Sequence, residues 1–386
     1  MKVIVALSIV LLLAACATTP APRDPDGLFR DHLFDPPSVS VDAADVFAVS
    51  AEMRRYIDTE IAGLVRRSGR QRGLVEALYD RAHLKLEYDG AMTRNAAEAF
   101  AARSGNCLSL VIMSAAFAKE LGLQVRYQKV FTDETWSRSG DVYMSVGHVN
   151  LSLARRQVEK QFGRNEGDDM TIDFLPSSNV AASRTWAIDE ATIVAMYMNN
   201  RAVESLVSDQ VNDAYWWARA AVQEQPRFLS AYNTLAVVYQ RHGNLAEAQL
   251  ALEQVLEQEP ANTLALANLA VVLRGRGNAV ASQEVARRLE RLQPNPPFAY
   301  FHRGLDAMRN GEYGLAKEMF AKEVDRAAYY HEFHFWLALA HVGLGELEPA
   351  RKHMAIAIEN SPMNRDRDLY ASKLARLQAT VPVIRR

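Results

Sequence analysis

The sequence is poor in cysteine, almost free of net charge and nearly devoid of long apolar runs. Its 386 residues include two cysteines, and the formal net charge is −2. A near-neutral chain has no general attraction for nucleic acid or anionic lipid. After the N-terminal segment no apolar run is long enough to cross a bilayer, and no glycine-rich phosphate loop is followed by lysine. Nucleic-acid binding, several membrane spans and a P-loop are therefore not expected.

What the N-terminus does contain is an export signal. Lys2 precedes an apolar run over residues 3–13, which ends in Leu-Ala-Ala-Cys at Cys16. The run is too short for a mature membrane helix, so residues 1–15 are predicted to be a signal peptide. The ending resembles the bacterial lipobox, which implies that Cys16 is acylated. The alternative is an ordinary secretory signal with an incidental cysteine.

The resemblance to a lipobox also implies a location and an anchor. Ala17 rather than aspartate follows the cysteine, which in Gram-negative lipoproteins implies the outer membrane, here facing the periplasm. Residues 16–41 are rich in proline and show little periodicity, so we expect a tether between the lipid anchor and the folded body. With Cys16 acylated, Cys107 has no partner for an intrachain disulfide.

The C-terminal half is built on a period of 34 residues. Prolines, turn glycines and small residues recur at this spacing: Pro226, Pro260, Pro294 and Pro362; Gly243, Gly277, Gly311 and Gly345; Ala202, Ala236, Ala270, Gly304 and Ala338. This pattern indicates helical hairpins in close contact, and it resembles the tetratricopeptide repeat. We expect an all-α solenoid of five units over residues 195–362, followed by a capping helix and tail over residues 363–386.

By the same resemblance, a concave groove binds a protein or peptide partner. Its predicted lining is mostly apolar: Asn233, Val237, Ala267, Val271, Phe301, Leu305, Phe335 and Leu339. This groove suits an amphipathic helix, an extended peptide or the chain's own N-terminal domain. The alternative is that some of these side chains pack between repeats.

Residues 42–192 have a mixed α and β pattern. Helical spacing over residues 44–65, 73–86 and 96–102 is followed by a helix over residues 108–121 that is apolar all round. Cys107 thus begins a buried helix, where the helix dipole and unpaired N–H groups favour a thiolate. Strands are predicted over residues 124–131, 144–153 and 170–175, with His148 facing away from Val149. Cys107, His148 and Asp173 therefore appear in the order of a nucleophile, a base and an orienting acid.

The motifs over residues 84–176 resemble the transglutaminase-like domain, a papain-related α+β cysteine-protease fold. They are Glu-Tyr-Asp at 87–89, Gly-Asn-Cys at 105–107, Gly-His-Val-Asn at 147–150 and Thr-Ile-Asp at 171–173. The resemblance implies thiol acyl transfer or amide hydrolysis, with Cys107 as nucleophile, His148 as base and acid, and Asp173 as orienting residue. Val149-Asn150 replaces the family's Ala-Trp. The backbone N–H of Cys107 is the expected oxyanion donor.

Two hypotheses for the whole chain follow. One is a membrane-anchored cysteine hydrolase or acyltransferase whose repeats recruit a partner; the other is a non-catalytic envelope scaffold that uses both domains for binding. Neither requires a metal or an organic cofactor. His331, His334 and His341 resemble a zinc motif only superficially, because the first two are three residues apart rather than four. We expect them to pack between helices.

Overall fold

A computed structural model describes residues 25–79, 84–90, 92–139, 142–154, 169–174, 184–361 and 364–379. The predicted signal peptide, the predicted lipidation site Cys16 and the repeat proline Pro362 lie outside the described residues. Within the described ranges, no helix combines the length and the apolar character that crossing a membrane requires.

The N-terminal region begins with helices that flank a buried central helix. Their bounds are Ala51–Tyr56 (α1), a π-helical turn at Ile57–Ile61, Ala62–Ser68 (α2), Arg70–Tyr79 (α3), Ala96–Ala102 (α4) and Cys107–Glu120 (α5). Ser50 caps α1 by accepting from the N–H of Met53, which explains why the helix starts later than the predicted residue 44. Helix α5 is buried on all sides over residues 107–118, as its apolar sequence predicts.

A four-stranded antiparallel sheet packs against α5. Its strands are Gln124–Ser139 (β3), Val142–Ala154 (β4), Met170–Ile172 (β5) and Thr185–Ile188 (β6), in the order β5-β4-β3-β6. Two short parallel strands, Glu87–Tyr88 (β1) and Ser104–Gly105 (β2), lie beside the start of α5. The hairpin of β3 and β4 extends beyond the predicted strands, and its register shifts between Val130 and Thr135. The N-terminal region is therefore α+β.

Helical hairpins form the rest of the chain. Their bounds are Glu190–Val207 (α6), Val211–Glu224 (α7), Leu229–His242 (α8), Leu245–Gln258 (α9), Thr263–Gly275 (α10), Ala279–Leu292 (α11), Ala299–Arg309 (α12), Tyr313–Arg326 (α13), His331–Gly343 (α14), Leu347–Asn360 (α15) and Asn364–Ala379 (α16). Most turns within a hairpin contain a glycine with positive φ, such as Gly243 at 91°. In the first hairpin Asp209 takes that place with φ 60°, a conformation that aspartate tolerates better than most residues.

The array is interrupted between α11 and α12. Every other pair of successive helices from α6 to α16 packs together, whereas these two make at most a marginal contact. Leu252 and Val255 of α9 are fully buried, as are Phe320 and Glu323 of α13. The equivalent residues of α11, 34 positions from each, are Ala286 and Leu289, and they are only half-buried. The next hairpin therefore does not cover α11.

The sequence around α12 accounts for the interruption. Arg303 is exposed at the position that holds a buried leucine in the neighbouring units, Leu269 and Leu337. A guanidinium there is costly to bury between helices without a partner. Pro296 and Pro297 precede the helix, and α12 starts at Ala299, two residues later than the 34-residue spacing from Thr263 requires. Both features oppose the regular packing of α12 on α11.

As a result, the hydrophobic core consists of separate parts. One core runs without interruption from the N-terminal region through the first three hairpins, from Phe34 to Leu273. A second begins at Phe298, and it is linked through Trp336 to a third that ends at the capping helix. We call residues 25–292 the first block and residues 298–379 the second block.

The predicted tether over residues 16–41 is wrong for its described part. Residues 25–40, which we call the strap, pack on α7 and α8. The ring of Phe34 stacks on Tyr215, with centroids 3.9 Å apart. The backbone N–H and the hydroxyl of Ser38 each donate to the Asp213 carboxylate at 2.6 Å. The Tyr239 hydroxyl donates to the Leu28 carbonyl at 2.7 Å. These aromatic and polar contacts explain why a proline-rich segment is held along the repeats instead of extending freely.

Because the two blocks have separate cores, we expect the chain to unfold in two transitions. Leu252 and Phe320 occupy equivalent positions, one in each block, and form a matched pair. Leu252→Ala should lower the first block's stability by about 2–5 kcal/mol and Phe320→Ala the second block's by about 3–5 kcal/mol. Urea unfolding, followed by hydrogen exchange and mass spectrometry, assigns each transition to its block. A single transition that both substitutions shift would contradict the division.

Candidate functional site

Local structure fixes Cys107 at the first position of α5. The Asn106 side chain caps the helix by accepting from the N–H of Ser109 at 2.9 Å. A Cβ on Gly105 would lie 2.7 Å from the Cβ of Ser109, so only glycine fits before the cap. Cys107 is 8% exposed and forms no disulfide. Its thiol therefore stands at the end of the helix where unpaired backbone N–H groups point outward.

The structure brings Cys107, His148 and Asp173 together. His148 lies on β4 opposite Val130 of β3, and Asp173 follows the last residue of β5. The Nε2 of His148 is 2.8 Å from Oδ1 of Asp173, and the thiol of Cys107 lies close enough to the imidazole to affect its pKa. With Nε2 engaged by the carboxylate, Nδ1 is the ring nitrogen left for the sulfur.

The surroundings of His148 favour its protonated form. Burial lowers the pKa of His148, but the hydrogen bond to the Asp173 carboxylate, the neighbouring Cys107 thiol and the negative charge of Asp173 raise it overall to about 9. The carboxylate is itself held in place by the side-chain amide of Asn150, which donates to Oδ2 at 2.9 Å. At neutral pH the site therefore favours an imidazolium between two acidic groups.

Asn150 and Tyr88, to which the sequence motifs assigned no role, both contact the site. Asn150 stands where the transglutaminase-like family often has tryptophan. This departure from the motif was the feature of the sequence that could have pointed to Asn150. The Tyr88 hydroxyl lies near the backbone N–H of Cys107 and is affected by it; this N–H is the group expected to stabilise an oxyanion. Burial raises the pKa of Tyr88, and the negative charges of Cys107 and Asp89 act in the same direction. The Tyr88 hydroxyl therefore stays protonated beside this N–H.

The predicted groove is only partly accessible. Val271 is 49% exposed, Val237 is half-buried, and Asn233 is buried and accepts from the Asn268 side chain at 3.0 Å. The prediction is wrong for Phe301 and Phe335, which are 0% and 8% exposed. Phe301 packs in an aromatic cluster with Phe298, Phe320 and Phe333, and Phe335 stacks on Tyr370 of the capping helix. Leu305 and Leu339 of the second block are half-buried, as Val237 is, so Val271 is the most exposed of the predicted lining residues.

The histidines of α14 serve helix packing. His334 Nδ1 lies 3.0 Å from Nδ1 of His353, while its Nε2 bonds to the Ala328 carbonyl at 2.9 Å. His331 Nδ1 lies 2.9 Å from the Tyr370 hydroxyl. Across the described part of the chain, no group of three or more histidine, cysteine, aspartate or glutamate side chains is placed to hold a metal ion.

Comparison with known proteins identifies the C-terminal region. The family model of the tetratricopeptide repeat matches residues 233–297 and 301–364, and the junction of the two matches coincides with the interruption between α11 and α12. The model does not extend over the first predicted unit, where α6 and α7 form a hairpin. No curated protein matches the chain.

Several solved structures are similar to part of this chain. A thermophilic tetratricopeptide-repeat protein from Thermus thermophilus is 22% identical, with 47% of this chain and 99% of that chain covered and a TM-score of 0.30. The pilF protein of Pseudomonas aeruginosa is 20% identical, with 50% of this chain and 86% of that chain covered and a TM-score of 0.30. YrrB, a tetratricopeptide-repeat protein with an unusual peptide-binding site, is 20% identical. The match covers 46% of this chain and 92% of that chain, with a TM-score of 0.25.

Removing the Asp173 carboxylate should lower the pKa of His148 from about 9. The folded value lies above the ordinary value of about 6.5. The interaction therefore stabilises the folded state fully below pH 6.5, and this stabilisation is lost as the pH rises through about 9. NMR titration of the ring in Asp173→Asn tests the shift. Asp169→Asn, which removes a surface carboxylate bonded to Arg126 at 2.8 Å, is the control. Equal titration of His148 in both variants would contradict the assignment.

The C-terminal region of this chain, which the family model matches over residues 233–297 and 301–364, is an array of tetratricopeptide repeats.

Proposed function

We propose that the chain recruits a protein or peptide partner through its repeats. The observation that supports this proposal is the match to the tetratricopeptide family, since stacked helical repeats present extended surfaces for binding. Val237 and Val271 offer apolar side chains at the predicted concave face of the first block. Phe301 and Phe335, the predicted groove aromatics of the second block, are buried in its own cores, so we place the docking surface on the first block.

Site-specific crosslinking in the native host tests this docking surface. A photoreactive residue at Val271 should crosslink a discrete partner. The same residue at Val280, which is 71% exposed on α11, is the control. Val237→Glu should weaken the crosslink at position 271, because a carboxylate disfavours an apolar contact. Identical products from positions 271 and 280 would count against a groove in the first block.

A second candidate function is thiol chemistry on the recruited partner. The observation that favours it is the 2.8 Å hydrogen bond between His148 and Asp173, beside a cysteine at a helix start. In this proposal the Cys107 thiolate attacks an amide carbonyl and forms a tetrahedral intermediate. The His148 imidazolium then protonates the leaving amine, which yields a thioester, and the neutral ring takes a proton from the water or amine that resolves it. Asp173 keeps the ring oriented.

The oxyanion of that intermediate needs a donor. The backbone N–H of Cys107, at the start of the helix, suits this role, but the Tyr88 hydroxyl lies next to it. Substrate would therefore have to displace Tyr88, whose residue is 41% exposed at the surface. The exposed side of Tyr88 makes β1 the side from which we propose the substrate approaches.

We further propose that Cys16 is lipidated and holds the protein at a bacterial outer membrane, on its periplasmic side. The lipobox resemblance supports this location. If so, the strap shortens the connection to the membrane, because eight residues separate Cys16 from Pro25. At 3.3–3.6 Å per residue they span at most about 30 Å. The first repeats would therefore stay near the membrane surface.

Alkylation of the native chain separates the enzyme hypothesis from the scaffold hypothesis. Iodoacetamide at pH 7 should label Cys107, as mapped by mass spectrometry. His148→Ala should slow the labelling by tenfold or more if the imidazolium contributes at least about 1.4 kcal/mol to the thiolate. His302→Ala, at an exposed site in the second block, is the control. A thiol that reacts only after unfolding would leave the non-catalytic scaffold as the function.

A further inference from the structure

We propose that the first repeat helix, α6, is a working part of the thiol site, because it positions Cys107 through the buried residue Thr93. This inference rests on the proposed thiol chemistry. It assigns positioning roles to Thr93 and to the α6 side chains that contact it. None of the sequence motifs indicated these roles. The contacts run from α6 to Thr93, then to Asn106, and so to the start of α5.

The first step is the contact between α6 and Thr93. Glu204 accepts from the backbone N–H of Thr93 at 2.7 Å. Arg201 donates to its carbonyl at 3.3 Å, and Asn200 donates to its hydroxyl at 3.2 Å. Thr93 is 1% exposed. Three side chains of one helix therefore hold both backbone groups and the hydroxyl of a single buried residue.

The second step joins Thr93 to the cap of α5. The Asn106 side chain donates to the Thr93 hydroxyl at 2.8 Å. The Oδ1 atom of Asn106 accepts from both the N–H and the hydroxyl of Ser109, at 2.9 and 2.8 Å. The cap is thus held from two sides, by Thr93 and by the first turn of α5. Because Cys107 directly follows Asn106, rotation of the cap would move the thiol.

A second set of bonds ties the same loop to the β1 side of the site. The backbone N–H of Arg94 donates to the Ser109 hydroxyl at 2.8 Å, and its guanidinium pairs with Asp89 at 2.8 Å. Burial raises the pKa of Glu204, against the bonds from Thr93 and the positive charges of Arg201 and Arg94. These groups are largely removed from water, so losing one bond leaves another polar group without a partner.

The contacts through Thr93 act on the position of Cys107 and not on the pair of His148 and Asp173. His148 and Asp173 are carried by β4 and the end of β5 and are joined to each other, whereas the cap of α5 depends on α6 through Thr93. Movement of α6 therefore changes the distance between the sulfur and the imidazole without breaking the pair of His148 and Asp173. A ligand that shifts the first repeats would act on the thiol by this route.

The test compares the rate of iodoacetamide labelling of Cys107 across pH in the full chain. Thr93→Val keeps the shape but removes the hydroxyl that Asn106 and Asn200 share, so both hydrogen bonds to it are lost. The bond from Asn106 is the one that holds the cap, and its loss should slow labelling at pH 7 roughly 3- to 10-fold. Thr93→Ser keeps the hydroxyl and should restore the wild-type pH profile. Asn200→Ala acts from α6 alone and should give part of the loss.

The outcomes distinguish this inference from the thiol chemistry on which it rests. If wild-type Cys107 labels in the native state but Thr93→Val and Asn200→Ala share its pH profile, the positioning role is overturned and the thiol function stands. If wild-type Cys107 does not label at all, both fail. Should Thr93→Val not fold, Asn200→Ala decides alone, because its partner atom on Thr93 still has Asn106 as a donor. NMR titration should still show a raised pKa for His148 in both variants, because its bond to Asp173 is intact.

Discussion

The burial of α5 is the constraint on which the rest of the first block depends. A helix that is apolar on all sides needs cover on all sides, and the sheet, the flanking helices and α6 supply it within one continuous core. Cys107 is at the N-terminal end of α5, where the helix meets the polar groups of Asn106 and Thr93. On one side, that end is covered by α6, the first helix of the hairpin array, so the contacts around the thiol extend beyond the helices and strands of the N-terminal region.

The repeats therefore have two structural roles. Up to α11 they share the core of the N-terminal region, and the strap adds aromatic and polar contacts across α7 and α8. From α12 onward they form a separate block with its own aromatic core. Arg303 and the two prolines before α12 mark the boundary. The partner surface that we propose lies on the block that also holds the thiol.

Much of this arrangement could be predicted from the sequence. The 34-residue period predicted the hairpins and their turns, and the strand pattern suggested the pair of His148 and Asp173, which lie 2.8 Å apart. Periodicity does not report tertiary contacts between distant segments, so it missed the strap and the role of Thr93. It also placed Phe301 and Phe335 in a groove, because repeat position alone does not show that the array is interrupted at Arg303 or that a capping helix covers Phe335.

Native-state hydrogen exchange of the full chain tests the central claim most directly. If α6 and the start of α5 form one cooperative unit, amides over residues 104–113 and 193–206 should open with the same free energy and the same dependence on denaturant. Amides of α13 and α14 should open in a separate event. Exchange of α6 together with α13 and α14, independently of α5, would show instead that the repeats fold as one array and that the thiol site does not depend on them.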